Sequence, residues 1–454
     1  MGLGLLGRGV GDTAYLASCG AELIVTDMKT EEMLRESLEQ LKGFPNIRFV
    51  LGEHREEDFK GRDMILKAAG VPLDSPYIDV ARKDGAEIAM SGALFARLSG
   101  VPVIGVTGTR GKSTVTHMVH HVLRESTEGA PVLLGGNVRG VSNLQLLHEV
   151  EEGSLAVMEL DSWQLQGFGE MKISPHVAVF TNFMEDHMNY YYRASERNTQ
   201  IHLSASERAQ VGSPAYYRAM DAYFADKAHI FMHQEESGVL VTTQEVFEHA
   251  KEFAKGRNVT LGQEVRLVDS SILPEDCLLS MPGEHNRLNA ALATEALRAV
   301  GLHDDEIFTA LATFPGVPGR LEYLGTVRGV KVYNDNNATT PMATIQGIQA
   351  VGEKKNVILI AGGAYKEVDP STLIPVIQEL CKDVILLAGT GTDKLKDNVE
   401  SIVVSSLKEA VEAAFADSAP GDVLLFSPGF ASFGMFKNEY DRNDQFIDII
   451  KSYE

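Results

Sequence analysis

Residues 101–114 read Val-Pro-Val-Ile-Gly-Val-Thr-Gly-Thr-Arg-Gly-Lys-Ser-Thr. A short apolar run ends in a glycine-rich turn, and a helix-like segment opens at Lys112-Ser113-Thr114. Strand, glycine loop and helix start, in that order, aim backbone N–H groups at the phosphates of a nucleotide. Gly108, Thr109, Arg110 and Gly111 form the turn; Lys112 would reach the terminal phosphates, and the Ser113 or Thr114 hydroxyl would hold Mg²⁺. The spacing departs from the usual phosphate-loop rule, because Val106 stands where the first glycine belongs and glycines sit at 105 and 108 instead. A glycine turn carrying a solvated lysine is the bland alternative, but it leaves the coincidence of strand, glycines and Lys-Ser-Thr unaccounted for.

Two further apolar runs end in groups with chemistry. Leu155-Ala-Val-Met158 stops at Glu159, and Val177-Ala-Val-Phe180 leads into Thr181-Asn-Phe-Met-Glu-Asp-His187. Ligands of parallel sheets lie beyond the carboxyl ends of the strands. If these strands flank the phosphate-loop strand, a carboxylate and an imidazole face a triphosphate. That suits a second Mg²⁺ site or the orientation of a phosphoryl acceptor. Alone, a strand-end glutamate is commonly a cap and a lone histidine a core residue; their joint placement with the loop gives them weight.

A second glycine loop opens the chain. Met1-Gly2-Leu-Gly4-Leu5-Leu-Gly7 begins directly in a G-x-G-x-x-G pattern, and Asp27 follows Gly7 by twenty residues. This is a dinucleotide-binding layout with Asp27 at the ribose-binding position. The strand that should precede the loop is missing, so the amino-terminal sheet is expected to lack its first strand, through a late or misassigned start.

The positioning elements follow from composition and pattern. A chain of 454 residues suggests about three domains. The net charge of −22 argues against nucleic acid or an anionic membrane as the main partner. No apolar run reaches transmembrane length and no signal peptide is visible. Cys19, Cys277 and Cys381 show no metal-type spacing, which fits reduced thiols in a cytoplasmic protein. Strands are expected near 22–27, 63–66, 102–106, 155–158, 177–180, 330–334, 356–361, 384–388 and 422–427. Helices are expected near 11–19, 30–41, 113–123 and 283–299. This alternation predicts an α/β protein of three domains, each with a mainly parallel sheet. They are an amino-terminal Rossmann-like domain (1–90), a central P-loop-type ATPase (91–316) and a carboxy-terminal Rossmann-like domain (317–454).

The motifs together resemble the Mur ligase family. The matching stretches are Gly108-Thr-Arg-Gly-Lys-Ser-Thr114, Gly135-Gly-Asn137, Glu159-Leu-Asp-Ser-Trp-Gln-Leu165, Thr181 to His187 and Gly283-Glu-His-Asn-Arg-Leu-Asn289. Pro318-Gly-Arg-Leu-Glu322, Asn334-Asp-Asn-Asn-Ala-Thr339, Gly362-Gly-Ala-Tyr-Lys366, Ser427-Pro-Gly-Phe-Ala-Ser-Phe433 and Phe436-Lys-Asn438 continue the order. The resemblance implies an ATP- and Mg²⁺-dependent ligase that joins D-glutamate to UDP-N-acetylmuramoyl-L-alanine through an acyl phosphate, for peptidoglycan synthesis. It implies a UDP-substrate domain, a central ATPase, and a third domain that closes over ATP and binds the amino acid. By position, Lys112, Ser113 and Thr114 would bind phosphate and the first Mg²⁺, and Glu159 and His187 the second. Asn286 and Asn289 would lie near adenine, with Arg320 and Asp335 also on the nucleotide. Gly4, Leu5, Gly7, Asp27 and Asn137 would serve the UDP-substrate. Thr339, Lys366, Ser432 and Phe433 would shape the amino-acid pocket.

The family also uses a lysine carbamylated by CO₂ to help bind the second Mg²⁺, and Lys227 is the best match. Carbamylation needs a neutral amine, hence a depressed pKa. Elsewhere the chain departs from the pattern: Asp335-Asn336-Asn337 replaces Asp-Ser-Lys, removing a cation, and Ala68-Ala69-Gly70 replaces Ser-Pro-Gly. A long segment around 190–220 carries the repeats Tyr191-Tyr-Arg-Ala194 and Tyr216-Tyr-Arg-Ala219 and reads as a surface insertion. The expected protein is a monomer acting on small molecules. The competing readings are a Mur-type ligase with another amino acid or acceptor, an NAD-dependent oxidoreductase built on Gly2 to Gly7 and Asp27, and an ATP-binding regulator without ligase activity.

Overall fold

Short apolar strands alternating with helices build four sheets in the computed structural model, which describes the chain apart from residues 6, 128, 189, 193–211, 258, 278, 366–367 and 454. The insertion expected around 190–220 therefore lies largely outside the described residues. The chain divides into two compact units, Met1–Glu275 with Leu288–Leu311, and Asp276–Arg287 with Ala312–Glu454.

In the first unit, β1 (Leu23–Asp27) pairs with β2 (Ile47–Leu51), and β3 (Met64–Leu66) with β4 (Glu87–Ala89), both in parallel. The expected single amino-terminal sheet is thus two separate pairs. Met1 and Gly2 run between them: the Met1 amino group donates to Leu66 O, Ala68 N to Met1 O and Gly2 N to Thr26 O. Two residues provide these bonds but are too few to form a named strand.

The same unit carries a six-stranded sheet of β5 (Val103–Thr107), β6 (Val132–Gly136), β7 (Leu155–Glu159), β8 (Val177–Phe180), β9 (Val239–Thr242) and β10 (Glu264–Leu267). Its order is β10-β9-β8-β5-β7-β6, and every pairing is parallel. Strand β5 is buried along its whole length, as a central parallel strand covered on both faces must be. The helix Lys112–Ser126 lays Val115, Met118, Val119 and Val122 into the core, the stripe expected from its 3.6-residue period.

The second unit holds β11 (Glu322–Val327), β12 (Val330–Asn334), β13 (Val357–Gly362), β14 (Cys381–Leu387), β15 (Ile402–Val404) and β16 (Val423–Phe426). Its order is β11-β12-β16-β13-β14-β15, parallel except for the antiparallel edge strand β11. The period of two divides each strand between two cores. Ile358, Ile360, Leu424 and Phe426 pack on one side, and Val357, Leu359 and Leu425 on the other. The α/β class with mainly parallel sheets follows from this arrangement. No helix among the described residues is long and apolar enough to cross a membrane.

Candidate functional site

The glycine loop after β5 is shaped by backbone that only glycine tolerates. Gly108 has φ 143° and Gly111, the N-cap of helix Lys112–Ser126, has φ 81°. A Cβ on Gly108 would lie 1.9 Å from Thr181 Oγ1, and one on Gly111 would lie 2.4 Å from Asn289 Oδ1. The segment after β8 braces the loop. Thr109 N donates to Asn182 O (3.0 Å), Arg110 N to Asn182 Oδ1 (2.8 Å) and Thr181 Oγ1 to Arg110 O (2.5 Å). Gly111 supplies no side-chain cap, so the positive end of the helix keeps its affinity for an anion. Lys112 Nζ folds back to Gly108 O and Thr109 O, both at 3.0 Å, holding its cation over the loop.

Strands β7 and β8 flank β5, so Glu159, the glycine loop and the segment running to His187 emerge side by side. Glu159 is buried and stands opposite Val106 on β5 and Gly136 on β6. Gly136 has φ 83°, its Cβ position lies 2.1 Å from Glu159 O, and Asn137 N donates to that carbonyl at 2.7 Å. Gly136→Ala is therefore expected to destabilise the protein by about 2–4 kcal/mol, from left-handed strain plus overpacking against backbone. Denaturant unfolding measures this; an unchanged midpoint would mean that β6 and β7 do not approach so closely.

His187 adopts φ 55°, a costly conformation for a non-glycine residue, and packs on the Trp163 ring at 4.7 Å between centroids. Burial lowers its pKa; Asp186 opposes the shift while Lys112 and Lys227 reinforce it. The imidazole is thus held neutral, the form a metal ligand needs. Asp186 also accepts from Arg110 Nη1 at 2.8 Å, tying the loop to the histidine segment.

Lys227 lies on the helix Pro214–Ala228 and is 1 % exposed, not a solvated surface lysine. Its Nζ donates to Gly108 O (2.7 Å), lies 3.4 Å from Thr107 Oγ1 and sits 4.9 Å over the Tyr223 ring. Burial first, and the Lys112 cation second, push its pKa well below the ordinary lysine range, against the pull of Asp161, Asp186 and Asp226. Asp226 accepts from Gln166 Nε2 (2.8 Å) and Tyr191 Oη (2.9 Å), and burial pushes its pKa up to about 6. Among the described residues, no three His, Cys, Asp or Glu side chains converge as a ready metal cage.

The amino-terminal glycine loop lies in the same unit. Gly4 and Gly7 have φ 72° and 80°, and Leu5 is 55 % exposed. Asp27 accepts from Gly4 N at 3.0 Å and from Lys29 N at 2.9 Å. Burial alone would raise its pKa, but those N–H groups and the Lys29 ammonium hold it below the usual range. Asp27, read from the pattern as a ribose acid, thus has one oxygen on the glycine loop and the other on the turn that follows β1. Asn137 Oδ1 accepts from Arg8 Nη1 at 2.7 Å, which brings Asn137 to this loop. Asp12 anchors the following helix, accepting from Ser142 Oγ (2.7 Å) and Leu144 N (3.1 Å).

The remaining residues singled out in the sequence belong to the second unit, except Asn289. Asn286 is buried and donates to Pro282 O at 2.8 Å. Thr339 lies in the loop after β12, Ser432 is buried and Phe433 is 69 % exposed. Lys366 lies outside the described residues. Asn337, where a lysine was expected, donates to Pro318 O at 3.3 Å. The fully buried Arg442, missed in the sequence, binds Asn336 Oδ1 and Asn336 O, both at 2.8 Å, and Phe430 O at 3.3 Å. It thereby ties the 335–339 loop to the 427–433 loop.

Asp335 is buried and accepts from Ser427 Oγ (2.8 Å) and Leu321 N (3.1 Å). Burial pushes its pKa up to about 7, despite those bonds and the Arg320 charge. A carboxyl raised above its unfolded value near 3.9 favours folding in its protonated form, so that contribution is complete below about pH 4 and lost as pH rises through about 7. Wild type is expected to lose on the order of a few kcal/mol relative to Asp335→Asn between pH 4.5 and 7.5. Parallel denaturant titrations of the two proteins check this; equal slopes against pH would contradict it.

The Mur ligase middle domain matches residues 106–200, and the Mur ligase, glutamate ligase domain matches residues 319–430. The UDP-N-acetylmuramoylalanine--D-glutamate ligase of Roseiflexus sp. (strain RS-1) is 35 % identical over 100 % of this chain and 98 % of its own. The protein of the same name from Borreliella afzelii (strain PKo) is 32 % identical over 99 % of this chain and 96 % of its own. Among solved structures, the UDP-N-acetylmuramate-alanine ligase MurC of Thermotoga maritima superposes with a TM-score of 0.58 at 21 % identity, covering 100 % of this chain and 98 % of that one. The MurF ligase of Thermotoga maritima in complex with ADP gives 0.56 at 16 % identity, covering 88 % and 96 %; these two likenesses concern the fold.

Proposed function

The chain belongs to the Mur ligase family of ATP-dependent, ADP-forming amide ligases, and from that premise we propose that it adds D-glutamate to UDP-N-acetylmuramoyl-L-alanine in peptidoglycan precursor synthesis. The observation that carries this reading is end-to-end similarity, at 35 % identity over the whole chain, to a relative bearing that name.

The site supports the chemistry. A carboxylate is a poor acyl donor, so its oxygen first attacks the γ-phosphorus of ATP, and the bond to ADP breaks. The D-glutamate amine then attacks the acyl carbon, loses a proton, and phosphate departs with the original carboxylate oxygen. Negative charge gathers on oxygens in both steps. The uncapped helix start at Gly111 and the Lys112 cation are suited to that charge. The loop fits a phosphate in that its helix start carries no side-chain cap, and its tight path needs glycine because a Cβ at Gly108 or Gly111 would collide with Thr181 or Asn289. Buried Glu159, neutral His187 and the Ser113 or Thr114 hydroxyl are oxygen and nitrogen donors suited to Mg²⁺, which takes few protein ligands beside substrate phosphates and so needs no closed cage. When bound, Mg²⁺ would neutralise phosphate oxygens. The buried, neutral-leaning Lys227 amine is suited to add to CO₂ with loss of a proton, giving a carbamate that turns a repelling cation into a further metal ligand.

We assign Gly4, Leu5, Gly7, Asp27 and Asn137 to the UDP-substrate, and Thr109, Arg110, Asn286, Asn289, Arg320 and Asp335 to ATP together with the glycine loop. Thr339, Lys366, Ser432 and Phe433 are assigned to the amino acid. The functional segments are then 1–90, 91–316 and 317–454, in a cytoplasmic monomer. An amino-acid panel assayed by ADP formation on UDP-N-acetylmuramoyl-L-alanine, with product mass, tests the reading. D-Glutamate alone should support turnover; preference for another amino acid, or ADP formation without the acceptor, would replace it.

A further inference from the structure

Resting on the assignment of residues 1–90 to the UDP-substrate, we propose that Arg8 binds the substrate's diphosphate and positions Asn137 for it. Arg8 is the first residue of the helix Arg8–Ser18, whose N-cap Gly7 is left-handed and gives no side-chain cap, and whose first turn holds no acid. A cation at the positive end of a helix is unfavourable unless an anion joins it there. The hydrogen-bonding ledger points the same way. Arg8 Nη1 donates to Asn137 Oδ1 at 2.7 Å, whereas Arg8 Nε is buried without an acceptor among the described residues. A buried guanidinium N–H left unsatisfied costs about 1–3 kcal/mol, a cost that an incoming anionic oxygen removes.

The charge of Arg8 reaches Asp12, where it opposes the burial that raises that carboxyl's pKa, but no carboxylate among the described residues accepts from Arg8 Nε. Asp12, one turn along the same helix, is engaged by Ser142 Oγ and Leu144 N. Asp27 is engaged by Gly4 N and Lys29 N. The loop beside it is open, since a Cβ at Gly4 or Gly7 would meet nothing within 4 Å. With its oxygen held by Arg8, Asn137 keeps its amide nitrogen as a donor. Arginine and amide thus form a pair reaching from the amino-terminal loop to the end of β6, where Asn137 N is bonded to Glu159 O at 2.7 Å. The substrate's diphosphate is thereby registered against the strand end that carries Glu159.

The test uses the full chain and compares uridine with uridine diphosphate by calorimetry, beside steady-state assays. Arg8→Ala should weaken uridine diphosphate about tenfold and leave uridine unchanged, the size of one charge-assisted hydrogen bond. The KM for UDP-N-acetylmuramoyl-L-alanine should rise about tenfold with kcat within about twofold, and Arg8→Lys should restore part of the loss through charge alone. Equal weakening of both ligands would make Arg8 merely structural and overturn the proposal, as would unchanged binding of uridine diphosphate. If the wild-type chain bound neither ligand, the UDP-substrate assignment would fall and the Arg8 proposal with it.

Discussion

Lys112→Ala should lower kcat by about a thousandfold or more while leaving the fold intact. The lysine is half-buried, and its Nζ rests on two loop carbonyls at 3.0 Å, Gly108 O and Thr109 O. These bonds run to loop carbonyls, so the melting midpoint should move by only a few degrees. Catalysis depends on it more heavily. Charge builds on the transferring phosphoryl group where the loop excludes much of the water, and removing one such electrostatic partner typically costs about 10²–10³ in kcat. A full positive charge belongs at the upper end. Lys112→Arg should recover only part of the rate, because a planar fork does not reproduce a point charge at this position. ADP formation with circular dichroism decides the matter; near-normal turnover in a folded Lys112→Ala protein would remove the phosphate loop from the mechanism.

The second large effect concerns Lys227. Lys227→Met should cost at least about a hundredfold in turnover with little change in thermal stability. Methionine matches the length and volume of the lysine stem. What is lost is a buried amine whose bonds are to Gly108 O at 2.7 Å and Thr107 Oγ1 at 3.4 Å. Gly108 O keeps its Lys112 partner at 3.0 Å. Removing an amine that is costly to bury also offsets the lost hydrogen bond. If Lys227 served packing alone, the pattern would be reversed, with a lower midpoint and an intact rate. The carbamate supplies a second readout. Wild-type turnover should fall in CO₂-free buffer and recover with bicarbonate, and the residual activity of Lys227→Met should ignore both treatments.

Much of the central site was legible in the sequence because it is local. Residues 103–114 carry strand, turn and helix start within one short run, and the structure places them as read. The flanking of β5 by β7 and β8 is another matter. Sequence order would pair β5 with β6, the next strand along, whereas the sheet runs β8-β5-β7-β6. Only long-range packing decides that.

Lys227 shows the limit of pattern. It occupies a helix whose buried face includes Ala219, Tyr223, Phe224 and Ala228, and nothing local distinguishes a lysine on that face from a solvated one. Arg8 was hidden by the glycines around it, although a cation at the first position of a helix was a readable signal. Strands β2, β4, β6, β9 and β10 are not among those expected, and β15 has only three residues. Strand β11 contains Gly325 with a register shift and pairs antiparallel, against the alternation seen elsewhere. Asp27 stands where a ribose-binding acid belongs, and its hydrogen bond from Gly4 N is a contact that the motif alone does not show.

The most direct measurement of the central claim follows oxygen. UDP-N-acetylmuramoyl-L-alanine labelled with ¹⁸O in its alanyl carboxylate is turned over with D-glutamate and unlabelled ATP, and the released phosphate is weighed by mass spectrometry. Activation of the carboxylate at the Lys112 loop predicts one ¹⁸O in each phosphate from fully labelled acceptor. Unlabelled phosphate, released at the rate of product formation, would contradict it.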